Sequence, residues 1–234
     1  MTTIDREFFK NPTTDPAYSV SGFWFWNDLI TDEKTSEQLS IMKRIHANQP
    51  VLHARSGLVN KYLSPDWLDR VSHAIKDCEK NGQSIWIYDE HNWPSGNCGW
   101  TITLEEKYRE HFLQFSQHQC EGGKPFHLDL NKEYIAISAF EENGKETELL
   151  SLANKGSIDC TPLSGAQIIA VWVAVDDYEP TGKLSVDYLS HEAIGAFIKS
   201  THEKYKERFS EAFGSIIKGF FMDETRFCNA LPLD

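Results

Sequence analysis

The residues of this chain best suited to chemistry are the adjacent carboxylates Asp223 and Glu224, which directly follow the apolar run 216–222. A carboxyl group at the end of an apolar strand can have its pKa raised by desolvation and by a neighbouring carboxylate. Such a group can serve as a general acid near neutral pH. In the competing interpretation, one of the pair caps a helix or pairs with Arg226.

A second carboxylate pair, Asp89 and Glu90, ends another apolar run and is soon followed by Trp93. Adjacent strand residues point to opposite faces, so we expect one carboxylate to face a site and the other to bind backbone donors. Trp93 has a broad apolar surface that either stacks on a sugar or packs a turn. His53 and Arg55 share one side of a strand, and we expect the two carboxylates to be their partners. That cluster is either a structural ion-pair network or a substrate site.

A third polar strand end, Trp26-Asn27-Asp28, repeats the combination of an aromatic residue with polar groups. Four side chains carry atoms that metals bind, namely His53, Asp89, Glu90 and Asp223. Their spacing matches no metal-binding motif, so we predict no metal site. The sequence also lacks the glycine-rich phosphate loops and the serine elbow of hydrolases, so we predict no cofactor.

The elements that must position these groups alternate between strand and helix patterns in the first hundred residues. The runs are 23–26, 31–47, 51–55, 64–80 and 85–88. Short connections between such runs are typical of parallel strands with right-handed crossovers, and therefore of an α/β fold. The carboxyl ends of parallel strands meet at one edge, where ligands bind.

The pattern changes after residue 100. The spacing of Tyr108, Phe112 and Phe115 predicts a helix over 103–118. Three β-rich runs then follow without an evident helix, at 134–140, 149–152 and 167–175, and they predict an antiparallel β insertion. We therefore divide the chain into a first α/β part at 1–118, an insertion at 119–183, and a continuation at 184–234. In the last part, a helix runs from the cap Ser190 to about residue 213, before a fourth strand at 216–222.

Composition restricts the partners and the compartment. The net charge of the 234 residues is -12, which argues against binding to nucleic acid or to an anionic membrane. No apolar run approaches the ~20 residues that cross a bilayer. The cysteines form no C-x-x-C pair and are odd in number: Cys78, Cys98, Cys120, Cys160 and Cys228. We expect reduced thiols and a cytoplasmic protein.

Five segments together resemble the N-terminal catalytic region of bacterial TIM-barrel glycoside hydrolases, in the group around α-L-rhamnosidase family 106. They are Phe23–Asp28, Leu52–Leu58, Tyr62–Trp67, Trp86–Gly96 and Gly219–Glu224. The resemblance covers most of the chain outside the β insertion. It implies a (β/α)8 barrel that is interrupted after its third strand, and a carbohydrate substrate. It also implies that Glu224 is the acid or acid/base, with Asp223 beside it.

The resemblance further implies that several strand-end residues shape the sugar site: Trp26, Asn27, Asp28, His53, Arg55, Asp89, Glu90 and Trp93. Some relatives use calcium. The chain departs from the family in having four frame strands where a barrel has eight, and in having Thr225 where proline is usual. The second carboxylate of the mechanism would lie beyond Asp234. We therefore expect an incomplete barrel, weak or no activity, and self-association through unpaired strand edges.

Two other functions are also consistent with the sequence. The chain could be a non-catalytic carbohydrate-binding or interaction half-barrel that keeps the aromatic platform and lacks the second carboxylate. A metal-dependent hydrolase of another class is the third hypothesis. Hydrolysis, sugar binding and metal content distinguish the three.

Overall fold

The computed structural model describes residues 19–177 and 184–225, which belong to two compact units. The first unit contains residues 19–108 and 188–225, and the second contains 109–177 and 184–187. Arg226, the alternative partner of the carboxylate pair, lies outside the described residues, and so does Cys228.

The first unit alternates strands and helices, with strands numbered along the whole chain. Its elements are β1 (Phe23–Trp26), α1 (Asp32–Arg44), β2 (Val51–Ala54), α2 (Pro65–Asn81), β3 (Ile85–His91), α3 (His191–Ser200), α4 (His202–Phe209) and β10 (Ile217–Phe221). Short 3-10 helices occupy Ile102–Leu104, Glu106–Tyr108 and Ser210–Ala212.

The four strands of this unit form one parallel sheet in the order β1-β2-β3-β10. Parallel pairing follows from the helical crossovers that the sequence predicts between successive strands. Phe25 lies beside His53, and Tyr88 lies beside Phe221. The sheet is compatible with part of an α/β barrel, but the described residues do not form a closed eight-stranded TIM barrel.

The helix ends carry the caps that the sequence indicates. The Ser64 hydroxyl accepts the Trp67 N–H at 3.3 Å, and Gly82 ends α2 in the left-handed conformation with φ of 70°. Ser190 likewise accepts the Ala193 N–H at 3.2 Å. The prediction of a single helix from Ser190 to residue 213 is wrong. The helix is interrupted at Thr201, which separates α3 from α4. No helix in the described ranges is long and apolar enough to cross a membrane.

The core of the first unit lies between the sheet and its helices. Trp26 at the end of β1 packs edge-to-face on Trp67 of α2, with ring centroids 5.1 Å apart. The Trp67 indole N–H donates to the Tyr205 hydroxyl of α4 at 2.9 Å. All three side chains are at most 1% exposed, so the helices bury this part of the sheet.

The second unit is built of antiparallel strands, as predicted for the insertion. They are β4 (His111–Cys120), β5 (Phe126–Asp129), β6 (Glu133–Glu141), β7 (Glu146–Glu148), β8 (Ser157–Cys160) and β9 (Ala166–Val175). One sheet has the order β4-β9-β6-β7, and β5 pairs with β8. Buried side chains form its core: Ile137, Ala139, Leu149, Ile158, Ile168 and Ala170.

Two element predictions in this part of the chain are wrong. The predicted helix over 103–118 is instead two 3-10 turns followed by β4, whose ten residues all pair with β9. That partner lies far away in sequence, so local periodicity could not reveal it. The predicted strand near 149–152 is a 3-10 turn. The Glu148 carboxylate accepts the Leu150 N–H at 2.6 Å and the Ser151 N–H at 3.2 Å, which holds this turn.

Both outer strands of the parallel sheet, β1 and β10, pair on one side only within the described residues. Unpaired edges of this kind attract other strands, especially where apolar side chains lie beside them. The exposed apolar residues at these two strands are Val20, Phe23, Phe25 and Met222.

The free edges predict that the chain self-associates in a concentration-dependent way. Met222→Lys places a charge just beyond β10 and is expected to move association to higher protein concentration. Size-exclusion chromatography with light scattering over a dilution series measures this. Leu163→Lys, at a 93% exposed position in the second unit, is the matched control and is expected to associate like the wild type. A wild-type chain that stays monomeric throughout the series contradicts the prediction.

Candidate functional site

The sheet face opposite to the helices carries a cluster of aromatic rings, which we call the open face. Its members are Phe23, Phe25, His53, Tyr88 and Phe221. The His53 and Tyr88 rings stack with centroids 3.5 Å apart and an interplanar angle of 12°. Phe23 and Phe25 are 48% and 47% exposed, so an apolar surface remains available to a ligand.

Arg55 and Trp93 stand together beside this cluster, as two of the predicted sugar-binding residues. The Arg55 guanidinium carbon lies 4.7 Å from the Trp93 ring centroid and 5.5 Å from that of Phe25. A guanidinium stacked between rings keeps its N–H groups free to point outward. Arg55 forms no ion pair with the described residues, and the expectation that Asp89 or Glu90 pairs with it is wrong.

His53 is the buried polar group of the open face, with 2% of its surface exposed. Its Nε2 lies 3.1 Å from the carbonyl oxygen of Asn92, so Nε2 must carry the proton and donate. Burial lowers the pKa of His53 to about 4, and the charge of Arg55 acts in the same direction. The imidazole is therefore neutral at physiological pH, and it stacks on Tyr88 as an uncharged ring.

Glu90 is enclosed by its own loop, which agrees with the expectation that one member of this pair binds backbone donors. Its Oε2 accepts the N–H groups of Asn97 at 2.7 Å and Cys98 at 2.8 Å, and Gly96 donates at 3.1 Å. His91 and Gly99 donate to Oε1. Burial raises the pKa of Glu90 to about 7, against the lowering effect of these donors. Its position corrects the expected substrate contact, because Glu90 is 2% exposed and fully occupied.

Asp89 also departs from the expected substrate contact. It is 1% exposed and lies on the helix side of β3. Its Oδ1 accepts the Ser95 hydroxyl at 2.5 Å, and its Oδ2 lies 3.2 Å from Nε2 of His202 at the start of α4. Both carboxylates of the Asp89–Glu90 pair therefore hold the chain itself.

Asp223 and Glu224 lie just beyond β10, at the carboxyl end of the sheet. Asp223 Oδ2 accepts the Tyr88 hydroxyl at 2.7 Å, and Oδ1 accepts the Glu224 N–H at 3.0 Å. Burial, followed by this bond to Asp223, raises the pKa of Tyr88, so the phenol keeps its proton and donates. Glu224 is exposed, and its carboxylate has no hydrogen bond or ion pair to the described residues.

The first polar strand end divides between the core and the surface. Trp26 is 1% exposed within the core, which corrects the prediction that it contacts a sugar. Asp28 pairs with Lys34 at 2.8 Å, and this hydrogen bond lowers the pKa of Asp28. Asn27 is exposed, and its carbonyl oxygen lies against Gly57, where a Cβ would approach to 2.5 Å. Gly57 has φ of 101°, so both space and backbone conformation favour glycine there.

Sequence reasoning missed the rings that build the open face, namely Phe23, Phe25, Tyr88 and Phe221. The sequence contained a signal for them, because side chains two positions apart on a strand point to the same face. Counted in this way along their own strands, Phe25, His53 and Tyr88 fall on one face of the sheet. Ser95 and His202 were missed as well, and no local pattern marks them. Within the described residues, no group of three His, Cys, Asp or Glu side chains is arranged to hold a metal ion.

Comparison with known proteins gives one weak structural likeness. No protein-family model matches the chain, and no curated protein matches it. The solved structure of a rhamnosidase from Novosphingobium sp. PP1Y is similar over 63% of this chain, with 17% identity and a TM-score of 0.40. The chain spans only 17% of the length of that rhamnosidase.

The buried neutral histidine predicts a pH dependence of stability. Because the pKa of His53 falls from its usual 6.5 to about 4 on folding, the unfolded chain binds an extra proton between these values. The free energy of unfolding should therefore decrease as pH falls from about 6.5 to about 4. His53→Phe keeps the stacked ring and removes this contribution. Urea unfolding of both proteins at several pH values measures it.

The expected result is that the stability difference between wild type and His53→Phe shifts in favour of the variant as the pH falls through this window. Above pH 7 the difference should be constant, which serves as the internal control, since other titrating groups are common to both proteins. A difference that stays constant from pH 7.5 to pH 4.5 contradicts the assigned neutral histidine.

Proposed function

We propose that this chain forms part of a glycoside hydrolase, with its sugar site on the open face and Glu224 as the proton donor. The observation that carries the proposal is the convergence of three features at the carboxyl end of one parallel sheet. These are the aromatic cluster, the Arg55–Trp93 stack and the carboxylate pair Asp223–Glu224. Asp223 accepts the Tyr88 hydroxyl, and Arg55 lies over the Phe25 ring that contacts His53, so both groups adjoin the same stacked rings.

Each feature supplies one requirement of glycoside hydrolysis. An aromatic platform stacks on the C–H surface of a sugar, and a guanidinium donates to its hydroxyl groups. The acid must protonate the leaving oxygen, and the exposed carboxyl of Glu224 is open to a substrate. Asp223 is engaged by the Tyr88 hydroxyl at 2.7 Å, so its role is to support its neighbour.

A non-catalytic carbohydrate-binding chain is the second candidate, and one observation favours it. Hydrolysis by two carboxylates needs a second carboxyl group across the substrate from the acid. Asp89 and Glu90 are buried and occupied by hydrogen bonds within the chain. Asp28 is exposed but bonded to Lys34. The proposed sugar surface and acid therefore lack a matched second carboxylate within the described residues.

Sugar binding is expected to depend on Trp93. Isothermal titration calorimetry against monosaccharides and aryl glycosides, including L-rhamnosides, should detect binding to the chain. Trp93→Ala should weaken it about tenfold, because loss of a stacking contact costs ~1.4 kcal/mol. Phe115→Ala removes a ring of similar exposure in the second unit and should bind like the wild type. Equal affinity of Trp93→Ala and wild type would place the sugar elsewhere.

Hydrolysis is expected to be slow in this chain and to depend on Glu224. Glu224→Gln should reduce the rate by about 10²- to 10⁴-fold for glycosides with poor leaving groups, and less for nitrophenyl glycosides, which need little protonation. Glu211→Gln, at an exposed position before β10, is the control and should keep the wild-type rate. Unchanged rates for all substrates in Glu224→Gln would rule out the acid role. Binding without hydrolysis by the wild type supports the carbohydrate-binding function instead.

A further inference from the structure

Ser95 connects the loop after β3 to the segment that carries the carboxylate pair. Its side chain is 0% exposed, and its Oγ accepts the N–H of Asp223 at 3.0 Å. Its own N–H donates to the Asp223 carbonyl oxygen at 3.3 Å. The backbone of residue 223 is therefore held at both its donor and its acceptor by a single serine.

Asp89 determines the direction in which this serine hydroxyl points. A hydroxyl has one proton to donate, and Ser95 Oγ donates it to Asp89 Oδ1 at 2.5 Å. The oxygen lone pairs are thereby left to accept the Asp223 N–H. The second oxygen of Asp89 lies 3.2 Å from His202 Nε2, which fixes the carboxylate from the side of α4.

The restraint passes from Asp223 to Glu224 through the Asp223 side chain. Its Oδ2 accepts the Tyr88 hydroxyl at 2.7 Å, while its Oδ1 accepts the Glu224 N–H at 3.0 Å. Backbone and side chain of residue 223 are both fixed, so the backbone of residue 224 starts from a defined point. The Glu224 side chain itself is exposed and makes no hydrogen bond to the described residues.

We propose that Asp89 is a positioning residue, which acts through Ser95 and Asp223 to place the Glu224 carboxylate at the carboxyl end of the sheet. The role in placing an acid rests on the proposed function, whereas the contacts themselves do not. Asp89 was expected to touch a sugar, and its burial on the helix side of β3 assigns it this indirect role instead. A group held in place by such a support is better preorganised for proton transfer.

The test uses amide hydrogen exchange of the full chain, measured by NMR or mass spectrometry, and three variants. Ser95→Ala should raise the exchange rate at residues 222–225 about tenfold relative to wild type, which corresponds to the loss of about one net hydrogen bond. Asp89→Asn replaces a charged acceptor by a neutral one and should raise the exchange rate at the same residues by a smaller factor. Exchange within Ile85–Tyr88 should change by less than about twofold. Ser95→Thr keeps the hydroxyl and should restore slow exchange.

The matched control is Asp66→Asn on α2. It removes the charge of a carboxylate that accepts a hydrogen bond from the Asn60 side chain at 2.6 Å. It should leave residues 222–225 unaffected. A purely structural role of Asp89 would raise exchange equally across β3 and β10, and this outcome overturns the proposal. Unchanged exchange at 222–225 in both Ser95→Ala and Asp89→Asn overturns it as well.

Failure of the proposed function has a different signature. If the wild-type chain neither binds nor cleaves glycosides while the variants still loosen residues 222–225, the proposed function fails and the support of this segment stands. If the wild type cleaves glycosides with poor leaving groups, Asp89→Asn should lower kcat for them more than for nitrophenyl glycosides and change KM by less than about twofold, with Ser95→Thr close to wild type. A loss confined to KM would make Asp89 a binding residue and overturn the positioning role.

Discussion

Within the described residues, helices cover one face of the parallel sheet of the first unit, and this constraint separates the roles of neighbouring strand residues. Side chains alternate between the faces of a strand, so neighbouring residues of β1 are divided between a packed side and an open side. Trp26 goes to the packed side and meets Trp67, whereas its neighbour Phe25 goes to the open side and meets Arg55. Neighbouring residues of similar type therefore have different roles, one in the core and one at the candidate site.

The local features of this unit could be read from the sequence because they depend on nearby residues. Ser64, Gly82 and Ser190 mark helix ends through hydrogen bonds within a turn, and the apolar runs mark the parallel strands. Features that depend on distant partners could not be read. The segment 111–120 has aromatic spacing that a helix can also satisfy, and pairing with β9 about 50 residues later decides in favour of a strand.

The candidate site was predicted in part, and the carboxylates Asp89 and Glu90 show which of its contacts could not be predicted. Adjacent carboxylates on a strand were expected to separate, with one bound to backbone donors, and Glu90 does this. The loop around Glu90 contains non-glycine residues at positive φ, including Cys98 and Trp100. No sequence pattern predicts this backbone conformation for such residues. Asp89 could not be assigned either, since its partner His202 is 113 residues away. The carboxylates of Asp89 and Glu90 thus bind backbone donors and distant side chains of the chain itself, although their chemistry alone would suggest contact with a substrate.

The charges around the open face bear on the sugar ligand that we propose. The centre of the face is neutral, because burial lowers the pKa of His53 and raises that of Tyr88. Ionic groups stand at its rim, with Arg55 stacked on Trp93 and the pair Asp223–Glu224 at the end of β10. An anionic ligand that approached Arg55 would also meet this carboxylate pair, and a cationic ligand would meet Arg55. A neutral polyhydroxyl ligand avoids both penalties: its C–H surface can lie on the rings while its hydroxyl groups donate to the carboxylates and accept from the guanidinium.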